Sequence, residues 1–255
     1  TSSEDFSMYR FYAFLAEAEL VEVQKREDLT IDVENLIRTA KETRASMIIF
    51  SNPCNPTSLG LKREEVLHLI QSVDALVVLD EAYMDFWDQS LLDRVNEFDN
   101  LLILRTCSKA LGMAGVRLGF SVANKTLTNA MRAVKSPYNS NVLTQEIGTV
   151  IYQHPEMMRQ RTEELIASRG VLLQQLREAL QSCGADCTVY ESRTNFVYIK
   201  TAQAKAVYEY LLENSIAIRY FKTGYLRITA GAPEENQAVV SAIQAFFTKQ
   251  AKEGN

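Results

Sequence analysis

Residues 101–123 read LLILRTCSKALGMAGVRLGFSVA. An apolar run, LLILRT (101–106), gives way to a short segment carrying Ser108 and Lys109, and a second run, GVRLGFSVA (115–123), follows. Two comparable runs lie upstream, MIIFS (47–51) and ALVVLD (75–80). Uninterrupted apolar runs of this length are the mark of strands buried on both faces. Between the first two, from Lys62 to Val73, the residues Val66, Leu67, Ile70 and Val73 recur at helical spacing, with Glu64 and Glu65 near the start. Strand, helix, strand predicts an α/β fold with a largely parallel sheet covered on both faces.

The texture changes near residue 156. Leu165, Ile166, Leu172, Leu173, Leu176 and Leu180 predict a long amphipathic helix running to about Cys183. Two alternating runs follow, NFVYIK (195–200) and IAIRY (216–220), separated by a helix carrying Val207, Tyr210 and Leu211. LRITA (226–230) reads as a further strand, and Val239, Val240, Ile243, Phe246 and Phe247 define a last helix. The division expected is a larger α/β domain over 1–155 and a small α+β domain over 156–255.

Composition narrows the function. The 255 residues are 47% apolar and 23% charged, an ordinary globular balance. With 27 basic and 32 acidic residues the net charge is −5, which does not favour nucleic acid or an anionic membrane as partner. No apolar run reaches the ~20 residues that span a bilayer. The expectation is a soluble, cytoplasmic protein. Four cysteines and two histidines, with no cysteine pair near a histidine, argue against a disulfide scaffold or a structural zinc. Only 10 residues are glycine, against a usual ~7%, and the chain opens at Thr1 in TSSEDFSMYRFYA. Both observations suggest a segment upstream of this sequence.

Ligands of open α/β sheets collect beyond the carboxyl ends of the strands. There this chain places Asn52, Asn55, Pro56 and Thr57 after the first run, Asp80, Glu81 and Tyr83 after the second, and Thr106, Ser108 and Lys109 after the third. Arg117 follows eight residues beyond that lysine. Hydroxyls, two cations and one acid suit a phosphorylated, protonatable ligand. Asp-Glu after a buried strand also occurs in nucleotide triphosphatases, but those need a GxxxxGK[ST] loop and none is present. Taken alone, Asp80 reads equally as a cap or as a catalytic acid, Lys109 as a surface charge, and the Asn-Pro cluster as a tight turn.

Taken in order, NPCNPT, DEAYMDF, RTCSKALGMAGVRLGF and LRITAG resemble the fold-type I, class I/II pyridoxal-phosphate aminotransferases, most of all the histidinol-phosphate aminotransferases. The resemblance runs from FSMYRFYA to the last helix. It implies a partial large domain followed by a small α+β C-terminal domain, with pyridoxal 5'-phosphate as cofactor. It implies that Lys109 carries the cofactor and moves the substrate proton, and that Asp80 pairs with the ring nitrogen. Asn55 and Tyr83 would bond the ring oxygen, Thr106, Ser108 and Arg117 would hold the phosphate, and Phe6 would stack on the ring. Arg227, Arg219 and Asn195 would bind substrate, with Tyr138 and Asn139 near the site. The implied reaction passes an amino group between L-histidinol phosphate and 2-oxoglutarate, a step of histidine biosynthesis, in a homodimer. Decarboxylation of threonine phosphate, transamination of aromatic substrates, and a non-catalytic folded fragment are the rival readings.

Two departures from the family pattern stand out: Cys54 in place of the usual Asn in NPNNPT, and Ser58 in place of the usual Gly. Both concern loop geometry. The family's N-terminal arm and its Gly-Ser-rich phosphate loop precede the segment matching FSMY, so the expectation is an incomplete phosphate cup and weak or absent turnover.

Overall fold

The structure, a computed structural model, describes residues 1–253 and resolves into two compact units, Thr1–Thr162 and the residues from Glu163 onward. The division falls inside a long helix, a little beyond the position at which the change of texture is seen in the sequence.

The first unit opens with α1 (Met8–Leu15) and α2 (Val33–Glu42). The Asp32 carboxylate caps α2 by accepting the Asn35 N–H at 3.1 Å, and Val33, Leu36, Ile37 and Ala40 form its buried stripe. Strands β1 (Met47–Ser51) and β2 (Leu76–Asp80) are joined through α3 (Arg63–Ser72), and β3 (Leu101–Thr106) and β4 (Gly119–Ala123) complete the sheet. The order is β1-β2-β3-β4, with the first three parallel and β4 antiparallel to β3. Phe50, Val77, Leu79, Leu101 and Ile103, which share one face of the sheet, are wholly buried in the core. On the other face Val78 is buried and Ile49, Leu102 and Leu104 are half-buried, so the cover expected on both faces is complete on one. Helices α4 (Lys125–Val134) and α5 (Val142–Tyr152) follow.

Two local expectations shift. In α3 the residues facing the core are Val66, Leu69 and Ile70, with Leu67 only half-buried at the margin. The run 115–123 becomes a strand only from Gly119. Ahead of it Ala114–Val116 form a 3-10 turn and Arg117 adopts φ +59°. The reason is loop closure: the Cys107 N–H donates to the Leu118 carbonyl and the Met113 N–H to the Cys107 carbonyl, both at 3.0 Å. Residues 107–118 are thereby folded onto themselves rather than extended.

The second unit contains most of α6 (Pro155–Ser182), then β5 (Thr188–Val189), β6 (Phe196–Lys200), α7 (Ala204–Glu213), β7 (Arg219–Phe221), β8 (Tyr225–Thr229) and α8 (Pro233–Glu253). The sheet is antiparallel throughout, in the order β5-β6-β8-β7. Val197, Ile199, Leu226 and Ile228 pack with Leu172 and Leu176 of α6, Val207 and Leu211 of α7, and Ile243 and Phe247 of α8. Burying each such side chain contributes about 1.5–3 kcal/mol. The run 216–220 pairs only from Arg219, because the Ile216 N–H still closes α7 on the Leu211 carbonyl.

Candidate active site

Parallel pairing brings three strand ends level. Ser51 lies opposite Asp80, and Asp80 opposite Leu104. Beyond these ends opens a cavity of about 390 Å³ lined by Phe6, Ser51, Asn55, Asp80, Ala82, Tyr83, Leu104, Arg105, Thr106, Ser108, Lys109, Ala114 and Arg117. That volume falls within the range of small-molecule sites. All eight residues expected to bind a cofactor therefore meet in one place: Phe6, Asn55, Asp80, Tyr83, Thr106, Ser108, Lys109 and Arg117.

The loop after β1 is rigidly built. Asn52, fully buried, donates to the Leu61 carbonyl at 3.1 Å and accepts the Leu61 N–H at 2.8 Å, closing the loop at its base. The Ser51 Oγ accepts the Asn55 N–H at 3.1 Å, which fixes Asn55 at the cavity edge. Ser51 in turn is gripped by the Asp5 carboxylate through both its N–H and its hydroxyl. The Asn52–Pro53 and Asn55–Pro56 bonds are both cis.

After β2, consecutive acids do different work. Glu81 is wholly buried and accepts the Ser90 hydroxyl at 2.7 Å, the Leu91 N–H at 3.0 Å and the Arg105 guanidinium at 3.0 Å. Arg105 also pairs with Asp85. This network pins β2 to β3 beneath the cavity. Asp80 faces the cavity. Its Oδ1 accepts the Ala82 N–H at 3.0 Å and its Oδ2 accepts the Tyr9 hydroxyl at 2.7 Å. Burial raises the Asp80 carboxyl above its ordinary value, and the bonds from Tyr9 and Ala82 oppose that rise. The charge of Asp5 adds to the rise, while Lys109 acts against it. Burial, with the negative charges of Asp80 and Asp5, pushes the Tyr9 hydroxyl far upward, so it stays a donor.

The loop after β3 supplies cations and hydroxyls. The Ser108 N–H donates to the Thr106 hydroxyl at 3.1 Å, and the Lys109 Nζ sits 5.4 Å from the centre of the Tyr83 ring, within cation–π range. The Arg117 guanidinium donates to the Ala114 carbonyl at 2.9 Å, which folds it back toward the cavity. The Thr144 hydroxyl of α5 donates to the Val116 carbonyl at 2.7 Å and holds this loop in place.

Tyr138 and Asn139 are exposed on the connection between α4 and α5 and do not line the cavity. In the second unit Arg219 and Arg227 are cross-strand partners, one directly opposite the other. The Arg227 guanidinium lies 4.9 Å from the Phe196 ring centre and Arg219 lies 5.9 Å from that of Phe221. Asn195 precedes β6, and its carbonyl accepts the Ala230 N–H at 3.0 Å. Three residues of the first site escaped the sequence reading: Tyr9, Ser51 and Arg105. Ser51 and Arg105 sit in strand-end runs already identified, and Tyr9 lies three residues beyond Phe6, just inside α1, with its N–H donating to the Phe6 carbonyl at 3.0 Å.

An acid, a lysine, paired hydroxyls and a guanidinium in one crevice at the strand ends define an α/β enzyme of small-molecule chemistry. The chain belongs to the class I and II aminotransferases, whose family model matches residues 2–243. Histidinol-phosphate aminotransferase from Clostridium kluyveri is 37% identical over 251 residues, spanning 97% of this chain and 70% of that protein. The fold matches that of histidinol-phosphate aminotransferase from Sinorhizobium meliloti, solved in complex with pyridoxal-5'-phosphate, with a TM-score of 0.85 at 20% identity over 100% of this chain and 70% of the other. It also matches L-threonine-O-3-phosphate decarboxylase from Porphyromonas gingivalis, with a TM-score of 0.80 at 25% identity over 96% and 75%. Among the described residues no helix is long and apolar enough to cross a membrane.

Proposed function

We propose that this chain transfers an amino group between L-histidinol phosphate and 2-oxoglutarate, using pyridoxal 5'-phosphate. The observation that carries the reading is the convergence of Asp80, Lys109, Arg117 and the two hydroxyls on one cavity. The donor set fits that cofactor: an acid for a protonated ring nitrogen, a primary amine for an aldehyde, and hydroxyls with a guanidinium for a phosphate dianion. When bound, pyridoxal phosphate supplies an electron sink for negative charge at the substrate's reacting carbon.

The chain's own residues do the rest. Asp80 would hold the proton on the ring nitrogen, Asn55 and Tyr83 would bond the ring oxygen, and Phe6 would pack on the ring. Thr106, Ser108 and Arg117 would hold the phosphate. Lys109 would bind the cofactor's aldehyde through its amine, and that amine is the group placed to move a proton at the substrate's reacting carbon. Arg227 and Arg219, opposed across two strands, offer paired planar donors for a substrate phosphate or carboxylate, with Asn195 just ahead of β6, the strand that pairs with β8.

The reading implies a homodimer working in the cytoplasm, without nucleic-acid or membrane partners. The exposed Phe11, Tyr12, Phe14 and Leu15 of α1 form an apolar face of the kind a protein partner covers, and the net charge of −5 disfavours polyanions.

The test is amino transfer to 2-oxoglutarate by the purified chain with added pyridoxal phosphate. L-histidinol phosphate, unphosphorylated histidinol, an aromatic amino acid and O-phosphothreonine are the competing substrates, and borohydride trapping locates the modified lysine. Weak transfer from histidinol phosphate with the label on Lys109 is expected. Release of carbon dioxide from O-phosphothreonine would assign the chain to decarboxylation instead, and a label on another lysine would overturn the role of Lys109.

A further inference from the structure

We propose that Tyr9 is a positioning residue for Asp80, holding its carboxylate ionised and aimed into the cavity so that the acid can keep the cofactor's ring nitrogen protonated. The inference rests on the reading of the cavity given above. Among the residues of α1 only Tyr9 is buried, while Phe11, Tyr12, Phe14 and Leu15 on the same helix are exposed. One helix thus sends one side chain inward, and that side chain ends in the 2.7 Å bond to Asp80 Oδ2.

The placement is fixed from several directions. The Asp5 carboxylate, just ahead of the helix, accepts from Ser51, from the Ser2 hydroxyl at 2.9 Å and from the Phe6 N–H at 2.8 Å. Ser51 lies opposite Asp80 in the sheet, so the clamp on the helix start and the reach of Tyr9 converge on the same strand ends. The Phe6 ring meets the Tyr9 ring edge-on at 5.6 Å. With Ala82 on Oδ1 and Tyr9 on Oδ2, the carboxylate plane is set, and each oxygen keeps a lone pair for the cavity.

The electrostatics give the bond its purpose. Asp80 is half-buried at its strand end with its carboxyl largely withdrawn from water, and the neighbouring Asp5 carboxylate also disfavours its charge. Favouring the charge are the Tyr9 hydroxyl, the Ala82 N–H and Lys109. Of these, Tyr9 is the one side-chain hydrogen bond. Without that hydroxyl the acid would titrate at still higher pH, and a neutral carboxyl cannot hold a proton on a ring nitrogen.

The test compares the wild-type chain with Tyr9→Phe, and with a chain carrying 3-fluorotyrosine at position 9, which keeps both ring and donor. In the cofactor-free chain, the 13C resonance of the Asp80 carboxyl should titrate at higher pH in Tyr9→Phe and return toward wild type with fluorotyrosine. This readout does not depend on the cofactor reading. With ring-15N-labelled pyridoxal phosphate bound, the ring nitrogen should move toward its unprotonated position in Tyr9→Phe. There kcat should fall about 10- to 100-fold with KM little changed, the loss of one bond to a charged group. An unchanged 13C titration in a folded Tyr9→Phe chain overturns the proposal. A lowered melting temperature with the carboxyl and ring-nitrogen signals unmoved would make Tyr9 merely structural and overturn it equally. Failure of the wild-type chain to take up pyridoxal phosphate would instead sink the cofactor reading and leave the carboxyl titration to decide the role of Tyr9.

Discussion

The two sheets of this chain carry chemistry in opposite ways. In the parallel sheet the core-facing row of Phe50, Leu79 and Ile103 is wholly buried, and the positions between them are the apolar Ile49, Val78, Leu102 and Leu104, which leaves no place for polar groups along these stretches. Ser51, Asn55, Asp80, Thr106, Ser108 and Lys109 therefore lie at the strand ends or just past them. In the antiparallel sheet one face joins the helical core through Val197, Ile199, Leu226 and Ile228. The alternate positions carry Phe196, Tyr198, Tyr225, Arg227, Arg219 and Phe221. There Tyr198 and Tyr225 stack at 4.9 Å with their planes 6° apart, and the two arginines stand opposite each other. A parallel sheet thus concentrates function at an edge, whereas an antiparallel sheet spreads it along a face.

The largest expected effect tests the edge. Asp80→Asn removes the charge that holds the ring nitrogen's proton, and kcat should fall on the order of 100-fold or more. The same change should stabilise the cofactor-free chain near neutral pH. Burial raises the Asp80 carboxyl in the folded state, so the native chain holds this proton to higher pH than the unfolded chain does. Stability contributed by this group therefore falls as pH rises from the ordinary carboxylate value through the raised one, and stays low above it. An amide has no such penalty. Thermal melts at acidic and neutral pH check the sign: the gain in Asp80→Asn should be present at neutral pH and vanish in acid. Equal melting curves at both pH values would mean that Asp80 is not held against its burial.

The next effect tests the face. Leucine at Arg219 or Arg227 should erase most of the preference for a phosphorylated amine over its unphosphorylated form. Each lost charge-assisted contact is worth about 1.5–3 kcal/mol, or roughly 10- to 150-fold in KM. The turnover of the unphosphorylated amine should hardly change. A fall in kcat for both amines would place the arginines with the edge chemistry and dissolve the contrast between the sheets.

This contrast also explains what could be read from the sequence. The three parallel strands and every cavity residue named from motifs were legible, since each follows an apolar run that ends at a defined place. The pairing of Arg219 with Arg227 was not, because it depends on the register of β7 against β8 and not on spacing along the chain. Tyr9 was hidden for a related reason. Its helix, MYRFYAFL, has apolar residues all round, and the sequence alone does not select the one that turns inward. Residues 115–118 were expected to be strand; instead the Val116 N–H closes a turn on the Met113 carbonyl, and the apolar pattern does not distinguish that turn from a strand.

A third, smaller effect concerns the loop beneath the edge. A β-carbon on Gly60 would fall 2.3 Å from the Trp87 ring and 3.0 Å from the Asn52 side-chain oxygen that accepts the Leu61 N–H. Gly60→Ala should therefore cost about 1–3 kcal/mol through overpacking. Denaturant melts would show it, and a neutral result would mean that the ring yields freely and the loop does not depend on Asn52.

The smallest effect bears on the departure at Ser58. This residue is fully buried with φ +65°, in the left-handed region that a side chain disfavours by roughly 1–2 kcal/mol. Its hydroxyl donates to the Thr57 carbonyl at 2.5 Å, a bond worth about 0.5–1.5 kcal/mol that offsets part of the strain. Its N–H closes the loop on the Cys54 carbonyl at 2.9 Å and is available to any residue type. Ser58→Gly relieves the backbone and loses the hydroxyl bond, so the net gain should be a few tenths of a kcal/mol up to about 1 kcal/mol, read as a melting temperature higher by a few degrees at most. Ser58→Ala separates the two contributions, since it keeps the strain and loses the bond, and it should melt below both. If Ser58→Ala instead melts with Ser58→Gly, the left-handed turn carries no strain here, and the edge of the parallel sheet is as tolerant of side chains as the face of the antiparallel one.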